Sequence, residues 1–367
     1  MKIALIVPGG VDRSGTHRVI PALLALIKRL AARHELHVYA LQQEHEPGSW
    51  ELYGATIHNL GARCTRLQAV RTIMAEHRRS PFQLTHSIFS AGPGLLAVAV
   101  ARPLGIPSLV HVTGGELVAM QDIGYGGRLA WKGRLREWIV LRAATAVSTS
   151  STPMVAELAR LGIRAQRIPL GVDLGAWPPR APEPRPDASP PRLLHVGTLN
   201  RVKDQSTLLR AFALISKSSP AARLDIVGED TLNGEIQSEA AALQIAERVR
   251  FHGFLTQPEL RPVMEAAHLL IMSSRHEAGP YTALEAATAG IPTVGTAVGH
   301  IAEWAPQAAL AAPVRDAAEL ARLIAMLLVD DSHRVRLAVE AQRCALREDA
   351  DYTARCFEQI YAALGCS

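Results

Sequence analysis

LLHVGTLNRVKDQSTLLRAF, residues 193–212, reads as a short apolar strand, a turn at Gly197, a loop carrying Arg201 and Lys203, and a helical pattern from about Asp204 to Ser216. Strand, glycine turn and helix in that order make half of a βαβ unit, the element from which parallel sheets are built. Gly197 lets the backbone come close to a ligand, and the free N–H groups at a helix start suit anionic oxygens. Two cations between turn and helix could hold a diphosphate. The spacing is not GxxxxGK[ST], so this is not the phosphate loop of an ATPase.

The same rhythm runs outward in both directions. KIALIV (Lys2–Val7) precedes a helical stretch from about Thr16 to Arg33, followed by ELHVYAL (Glu35–Leu41), FQLTHS, PSLVHV and TAVST, with a helix-length segment between successive runs. It is interrupted by PPRAPEPRPDASPP (Pro178–Pro191), seven prolines in fourteen residues, which suits neither helix nor central strand and reads as a stiff linker. Beyond it come ARLDIVG, VRFHGF, HLLIMSS and IPTVGT. The expected fold class is therefore α/β, with two doubly wound Rossmann-like domains. Residues 1–177 form the first, 178–191 the linker and 192–347 the second. Residues 348–367 form a C-terminal helix with Phe357, Ile360, Tyr361 and Leu364 on one side, packing on its own domain or crossing back to the first.

Composition narrows the class. The 367 residues are 48% hydrophobic and 20% charged, as in a globular protein, and no run of apolar residues is long enough to span a bilayer. MKIALIVPGG reads as a first strand rather than a signal peptide. Cys64, Cys344, Cys356 and Cys366 show no CxxC spacing, which suits a reducing cytoplasm. Charge is uneven: residues 1–180 hold 21 Lys and Arg against 11 Asp and Glu, the remainder 18 against 23. The basic half points to phosphate-bearing lipids, nucleic acid, an acidic substrate or a solvated arginine-rich surface.

A second stretch, HEAGPYTALEAATAG (His276–Gly290), follows the strand HLLIMSS. In open α/β sheets ligands bind where strands end and helices begin. Pro280 suits the first helical position, Gly279 permits close approach, and Glu277 lies in the turn. Glu285 sits among Ala283, Ala286 and Ala287, where a carboxylate is costly unless it accepts hydrogen bonds; a ribose diol would supply two. The bland alternative makes Glu277 a first-turn acid and Glu285 a solvated helix residue.

Three motifs in register resemble glycosyltransferase family 4, retaining enzymes of the GT-B architecture also described as glycosyl transferases group 1. IPLGVDLGAW, VGTLNRVKD and EAGPYTALEAATAGIP match that family's IPxGVD, VGRL-xxx-KG and EGxG-x4-EA-x-A-x-G-x-P, and the likeness runs from VPGG near the start to QIYAAL near the end. The resemblance implies two Rossmann-like domains facing a cleft. It implies that Glu277 contacts the transferred sugar, Glu285 binds the donor ribose and Lys203 neutralises the leaving diphosphate, helped by Arg201. Gly15 would face the phosphates from the first domain, and Gly197, Gly279, Pro280 and Tyr281 complete the donor side. Two departures stand out. The VGRL arginine is Thr198 here, with Arg201 three positions on as substitute. In PSLVHVTGGEL, Thr113 stands where many members have a histidine, so His111, Thr113, Gly114 and Glu116 are the candidates on the acceptor or sugar side.

The expected function is thus a metal-independent retaining hexosyltransferase that moves a sugar from a nucleotide-diphospho-sugar to a glycan, lipid or small-molecule acceptor. It needs no cofactor, since the nucleotide sugar is a substrate, and no nucleic acid. The alternatives are a nucleotide-sugar epimerase on the same fold and a catalytically impaired nucleotide-sugar-binding protein. Asp349-Ala350-Asp351 reads as helix capping rather than a metal site, and His34, Glu35 and His37 do not form HExxH. Finally RLAWKGRLREWIVLR (Arg128–Arg142) reads as a helix mixing tryptophans with cations. Either its tryptophans pack on the first domain's sheet, or residues 128–142 meet an anionic membrane at the inner face, beside a lipid-linked acceptor.

Overall fold

The computed structural model of the chain describes residues 1–63, 66–186 and 189–366. It divides into two compact units, Met1–Asp173 with Glu348–Ser367, and Leu174–Arg347. Cys64 lies outside the described residues, and Cys356 and Cys366 are free thiols.

Among the described residues the first unit carries eight strands: β1 (Lys2–Val7), β2 (Glu35–Ala40), β3 (Gly48–Leu52), β4 (Ala55–Asn59), β5 (Leu84–Ile88), β6 (Ser108–Val112), β7 (Ala146–Thr149) and β8 (Gln166–Arg167). Their order is β3-β4-β2-β1-β5-β6-β7-β8, parallel throughout except for the β3–β4 hairpin. Every residue of β1, β5 and β6 is buried, as expected for strands covered on both faces. The hairpin turns on Tyr53 and Gly54, both with positive φ, the two-residue geometry whose twist suits adjoining antiparallel strands. Its sequence lacks the usual Asn-Gly signal. The first helix spans Pro21–Ala31, shorter than its apolar pattern suggests, because residues 9–20 form a loop before Pro21 opens the helix.

The C-terminal helix, Ala350–Ala363, belongs to this first unit. Asp349 caps it, accepting the Tyr352 N–H at 2.8 Å, as expected for that acid. The helix is tied to the IPLGVD segment: Thr353 Oγ1 donates to Pro169 O at 2.7 Å and accepts from Gly171 N at 2.9 Å. Arg167 meets Glu348 with two parallel bonds of 2.9 and 2.8 Å. Inside, the Phe357 ring lies 4.6 Å from the His86 ring and 5.4 Å from that of His111. Tyr361 Oη is 2.7 Å from His86 Nδ1.

The described residues of the second unit form six parallel strands: β9 (Arg192–Val196), β10 (Arg223–Val227), β11 (Val249–Gly253), β12 (Leu269–Met272), β13 (Thr293–Thr296) and β14 (Ala309–Ala312), ordered β11-β10-β9-β12-β13-β14. The chain builds outward from β9 to one edge and then from β12 to the other. Because right-handed crossovers leaving in opposite directions cover opposite faces, the loops after β9 and β12 part and leave a crevice. The proline-rich stretch runs along this unit, held by arginine and glutamine side chains and by its own backbone. Arg180 N donates to Thr288 O at 3.0 Å, Gln342 Nε2 to Arg180 O at 2.6 Å, Arg334 Nη2 to Glu183 O at 2.7 Å, and Arg185 N to Asp331 Oδ2 at 2.9 Å. Its prolines lack N–H groups, but the residues between them retain donors and acceptors to fasten it.

Phe357 is fully buried against two histidines. Phe357→Ala should lower the stability of the first unit by about 3–5 kcal/mol, read as an earlier urea transition with the second unit's transition unmoved.

Candidate active site

The crevice between β9 and β12 gathers the central residues. β9 ends at Val196 and its loop reaches Lys203; β12 ends at Met272 and its loop reaches Glu277. Lys203 Nζ donates to Glu277 Oε1 at 2.6 Å, and Ser274 Oγ donates to the same oxygen at 2.6 Å. Both charged side chains are largely but not fully covered, 23% and 13% exposed, so they border solvent. The two loops are stitched together by backbone: Arg275 N donates to Val202 O at 2.7 Å, and Ser273 Oγ to Lys203 O at 2.8 Å. A Cβ on Gly197 would sit 3.3 Å from Lys203 Cε, so the glycine leaves the lysine stem its path across the turn. Gly299 does the same for the glutamate, since a Cβ there would lie 3.2 Å from Glu277 Cβ and 3.0 Å from its carbonyl oxygen.

Beneath the pair, β9 and β12 are clamped by a buried histidine. His195 Nδ1 donates to Ile271 O at 2.9 Å and His195 Nε2 accepts from Gln205 Nε2 at 3.2 Å. Burial, with Lys203 adding repulsion, brings its pKa down to about 4, so the ring stays neutral in this tautomer. Gln205 also donates to Thr198 O at 3.1 Å, which gives the residue at the expected arginine position a backbone role. Asp204 caps the following helix, Gln205–Ser218, from a left-handed conformation. Arg201 stands apart: its guanidinium meets Glu235 at 2.5 and 2.6 Å, both side chains about half exposed.

Pro280 is the cap of helix Tyr281–Thr288 rather than its first residue, its ψ of 111° still being extended. Tyr281 opens the helix and Glu285 lies one turn on, only 1% exposed. Its Oε1 accepts from Gln257 Nε2 at 2.7 Å, and Trp177 Nε1 donates to its backbone carbonyl at 3.0 Å. Burial raises the carboxyl pKa to about 8, only partly offset by the Gln257 bond. The solvated alternative for Glu285 is therefore excluded, and burial favours its neutral form. Gln257 begins the helix that follows β11 and the FHGFL loop, whose Phe254 is exposed.

In the first unit, Gly15 has φ +67° and its N–H donates to Asp12 O at 3.0 Å, in the loop after β1. A cavity of about 630 Å³ opens at the carboxyl ends of the central strands, lined among others by Pro8, Phe89, Gly114, Glu116 and Tyr125. Glu116 is sealed beneath it: Oε1 accepts from Ser90 N at 3.0 Å and Oε2 from Gly114 N at 2.6 Å. Ser90 Oγ donates in turn to Glu137 Oε2 at 2.6 Å. Burial raises the pKa of both glutamates, Glu116 also repelling Glu137. Thr113 is partly buried with Oγ1 2.7 Å from Ser150 Oγ. His111, by contrast, is wholly enclosed on β6, with Nδ1 3.0 Å from Ser148 Oγ and Nε2 3.3 Å from Ser150 Oγ. Burial takes its pKa to about 3. It is a packed core histidine under Phe357, as is His86; His17 lies exposed on the β1 loop.

Sequence reading missed Ser90, Glu137, His195 and Gln205. The only signal was a polar residue inside an otherwise apolar or cationic stretch, as Glu137 is within RLREWIVLR.

Two doubly wound units of this kind, the second with a cation–carboxylate pair at its switch point, are the fold of the GT-B class. The chain belongs to the family 4 glycosyltransferases: residues 181–343 match the family described as Glycosyl transferases group 1, and residues 19–171 that described as Glycosyl transferase 4-like domain. It is 27% identical over 368 residues to a glycogen synthase of Mycobacterium tuberculosis, covering 97% of this chain and 84% of that one. It is 28% identical over 372 residues to a D-inositol 3-phosphate glycosyltransferase of Frankia alni, covering 91% and 90%. Among solved structures, sucrose-phosphate synthase from Thermosynechococcus elongatus superposes with a TM-score of 0.82 at 20% identity, covering 99% of each chain. Anabaena Alr3699/HepE in complex with UDP-glucose does so with a TM-score of 0.76 at 18% identity, covering 99% of this chain and 100% of that one.

Glu285 supplies a pH signature. Its folded pKa is raised from 4.5 to about 8, so between those values the folded state holds a proton that the unfolded state has released. The unliganded protein should lose stability as pH rises through that window and level off above it. Glu285→Gln should remove this component, so the Tm difference between variant and wild type should widen from pH 5 to pH 8. A difference constant with pH would place an ionised carboxylate there instead.

Proposed function

We propose that this glycosyltransferase is a retaining, metal-independent hexosyltransferase that takes a sugar from a nucleotide-diphospho-sugar and passes it to a hydroxyl acceptor. The observation that carries the reading is the 2.6 Å Lys203–Glu277 pair at the β9/β12 switch point, where open α/β sheets bind their ligands. In this reading the donor diphosphate displaces Glu277 as the partner of Lys203. The bond between the anomeric carbon and the β-phosphate oxygen breaks, and positive charge develops on the sugar. The acceptor oxygen bonds to the anomeric carbon from the same face and its proton passes to the departing phosphate oxygen. Lys203 stabilises the charge that grows on that phosphate, and Glu277, held by Ser274, receives sugar hydroxyl groups. Gly279 lets the backbone of the β12 loop come close to the phosphates, while the Gly197 N–H already donates to Val227 O at 2.8 Å and that of Gly15 to Asp12 O at 3.0 Å. The half-exposed Arg201 must leave Glu235 before it can contribute, so Lys203 ranks ahead of it.

Glu285 is assigned the donor ribose. A ribose diol donating two hydrogen bonds would favour the carboxylate that burial now disfavours. Alr3699/HepE, solved with UDP-glucose, supports a uridine nucleotide as the first donor to try. For the acceptor, the candidate seat is the cavity lined by Gly114 and Glu116, with Thr113 next to Gly114 in the chain and His111 excluded by burial.

The test is donor consumption and product formation with a panel of nucleotide sugars, with and without acceptors. Lys203→Ala should lower kcat by about 10²–10³, the usual cost of removing one donor to developing charge. Activity within a factor of about three of wild type would move the phosphate clamp to Arg201. Glu285→Ala should raise the donor KM with kcat little changed, because a ribose contact is equal in ground and transition states. An unchanged KM with a large fall in kcat would overturn that assignment.

A further inference from the structure

Helix Trp131–Ala143 turns Glu137, Val140 and Leu141 inward. Its outer face carries Trp131, Leu135, Trp138 and Ile139, exposed 61, 46, 58 and 40%, which is four of the ten exposed large hydrophobic side chains among the described residues. The positions i, i+4, i+7 and i+8 make them one stripe. The alternative that these tryptophans pack on the sheet is thus overturned; smaller Val140 and Leu141 take the inward places. Around the stripe stand Arg128, Lys132, Arg134 and Arg142, whereas Arg136 lies 3.5 Å from Oε1 of the one acid of the segment, the buried Glu137. Lys132 Nζ lies 5.8 Å from the Trp131 ring and the Arg142 guanidinium 5.5 Å from that of Trp138.

Charge decides what fits this surface. A second copy joined about a two-fold axis would set the same cations against one another. An anionic bilayer pairs with all of them while taking indole rings at headgroup depth, where ring bodies are buried and N–H groups stay hydrated. Among the described residues no helix is long and apolar enough to cross a membrane. We propose that the outer face of helix 131–143 docks the protein peripherally on an anionic lipid bilayer.

The same helix packs against the loop that lines the first unit's cavity. Gly133 leaves no room for a Cβ against Gly127 O, so the first turn rests on the glycine-rich loop that lines the cavity. Glu137, one turn on, holds Ser90, whose N–H holds Glu116. Docking would hold the glycine-rich loop that lines the cavity close to the headgroup layer, where a lipid-borne acceptor is presented. That consequence rests on the transfer reading, whereas the docking itself does not.

Vesicle flotation decides it, with vesicles of phosphatidylcholine alone and with about one-third phosphatidylglycerol. The wild-type protein should float with the anionic vesicles only. Trp131→Ser/Trp138→Ser should abolish flotation, and Lys132→Glu/Arg134→Glu should weaken partitioning by at least about thirty-fold, from about 1 kcal/mol per lost cation. Circular dichroism and nucleotide-sugar affinity should be unaltered in both variants, so loss of flotation cannot be put down to misfolding or to failure of the donor-site reading. No flotation of the wild type, equal flotation with both vesicle types, or anionic flotation that survives the tryptophan changes would each overturn the proposal. So would a concentration-dependent dimer in sedimentation that the tryptophan changes abolish.

Discussion

Neighbouring strands β9 and β12 lie next to each other in the sheet yet send their following helices to opposite faces, and the candidate site exists because of that divergence. The loops after them have nothing between their roots, so residues from each can meet across the gap. The gap must be held at fixed width, and here the neutral His195 does so, donating to Ile271 O on β12 and accepting from Gln205 at the start of the next helix. A charged imidazole in that position would face Lys203 in a dry environment, and the depressed pKa is the expression of that cost. Lys203 and Glu277 therefore meet over a base that does not itself titrate near neutral pH.

The buried carboxyl groups fall into two kinds. Glu277 is paired with a lysine and a serine and remains at the solvent edge, so its charge is satisfied before any ligand arrives. Glu285 and Glu116 are enclosed without a cationic partner among the described residues, Glu137 has Arg136 Nε 3.5 Å from its Oε1, and burial pushes each toward its neutral form. A neutral carboxyl is a tolerable guest among alanines; a carboxylate is not unless several donors converge on it. Glu116 has such donors in backbone amides, while Glu285 has, among the described residues, Gln257 alone, which leaves it the group whose state would change most when further donors arrive.

Helix 131–143 illustrates how two apolar faces can hide from a pattern search. Leucine, valine and isoleucine occupy both the inward and the outward sides, so the sequence shows no single apolar stripe, and tryptophan would by size be assigned to the core. The inward side is instead set by Glu137, whose bond to Ser90 fixes the rotation of the helix on its axis. Once that rotation is fixed, Trp131 and Trp138 must face out, and the cations follow them.

Local patterns were enough for the fold class. Apolar runs of four to six residues between helical segments can be buried only in a parallel sheet covered on both sides, and IPLGVD, VGTLNRVKD and EAGPYTALEAATAG mark strand ends by their glycines and prolines. The same logic placed Lys203 and Glu277 in turns, and Asp349 at a helix start, because capping and turn chemistry act within a few residues. What the sequence left open was decided by contacts far apart in the chain. Lys203 and Glu277 are 74 positions apart and meet only because β9 pairs with β12 rather than with its successor on both sides. His111 looked like a stand-in for a missing site histidine, but the packing of Phe357, 246 positions later, encloses it. Whether a histidine or glutamate is chemically available depends on which distant element covers it, and burial of that kind is a property of the assembled structure rather than of any stretch of chain.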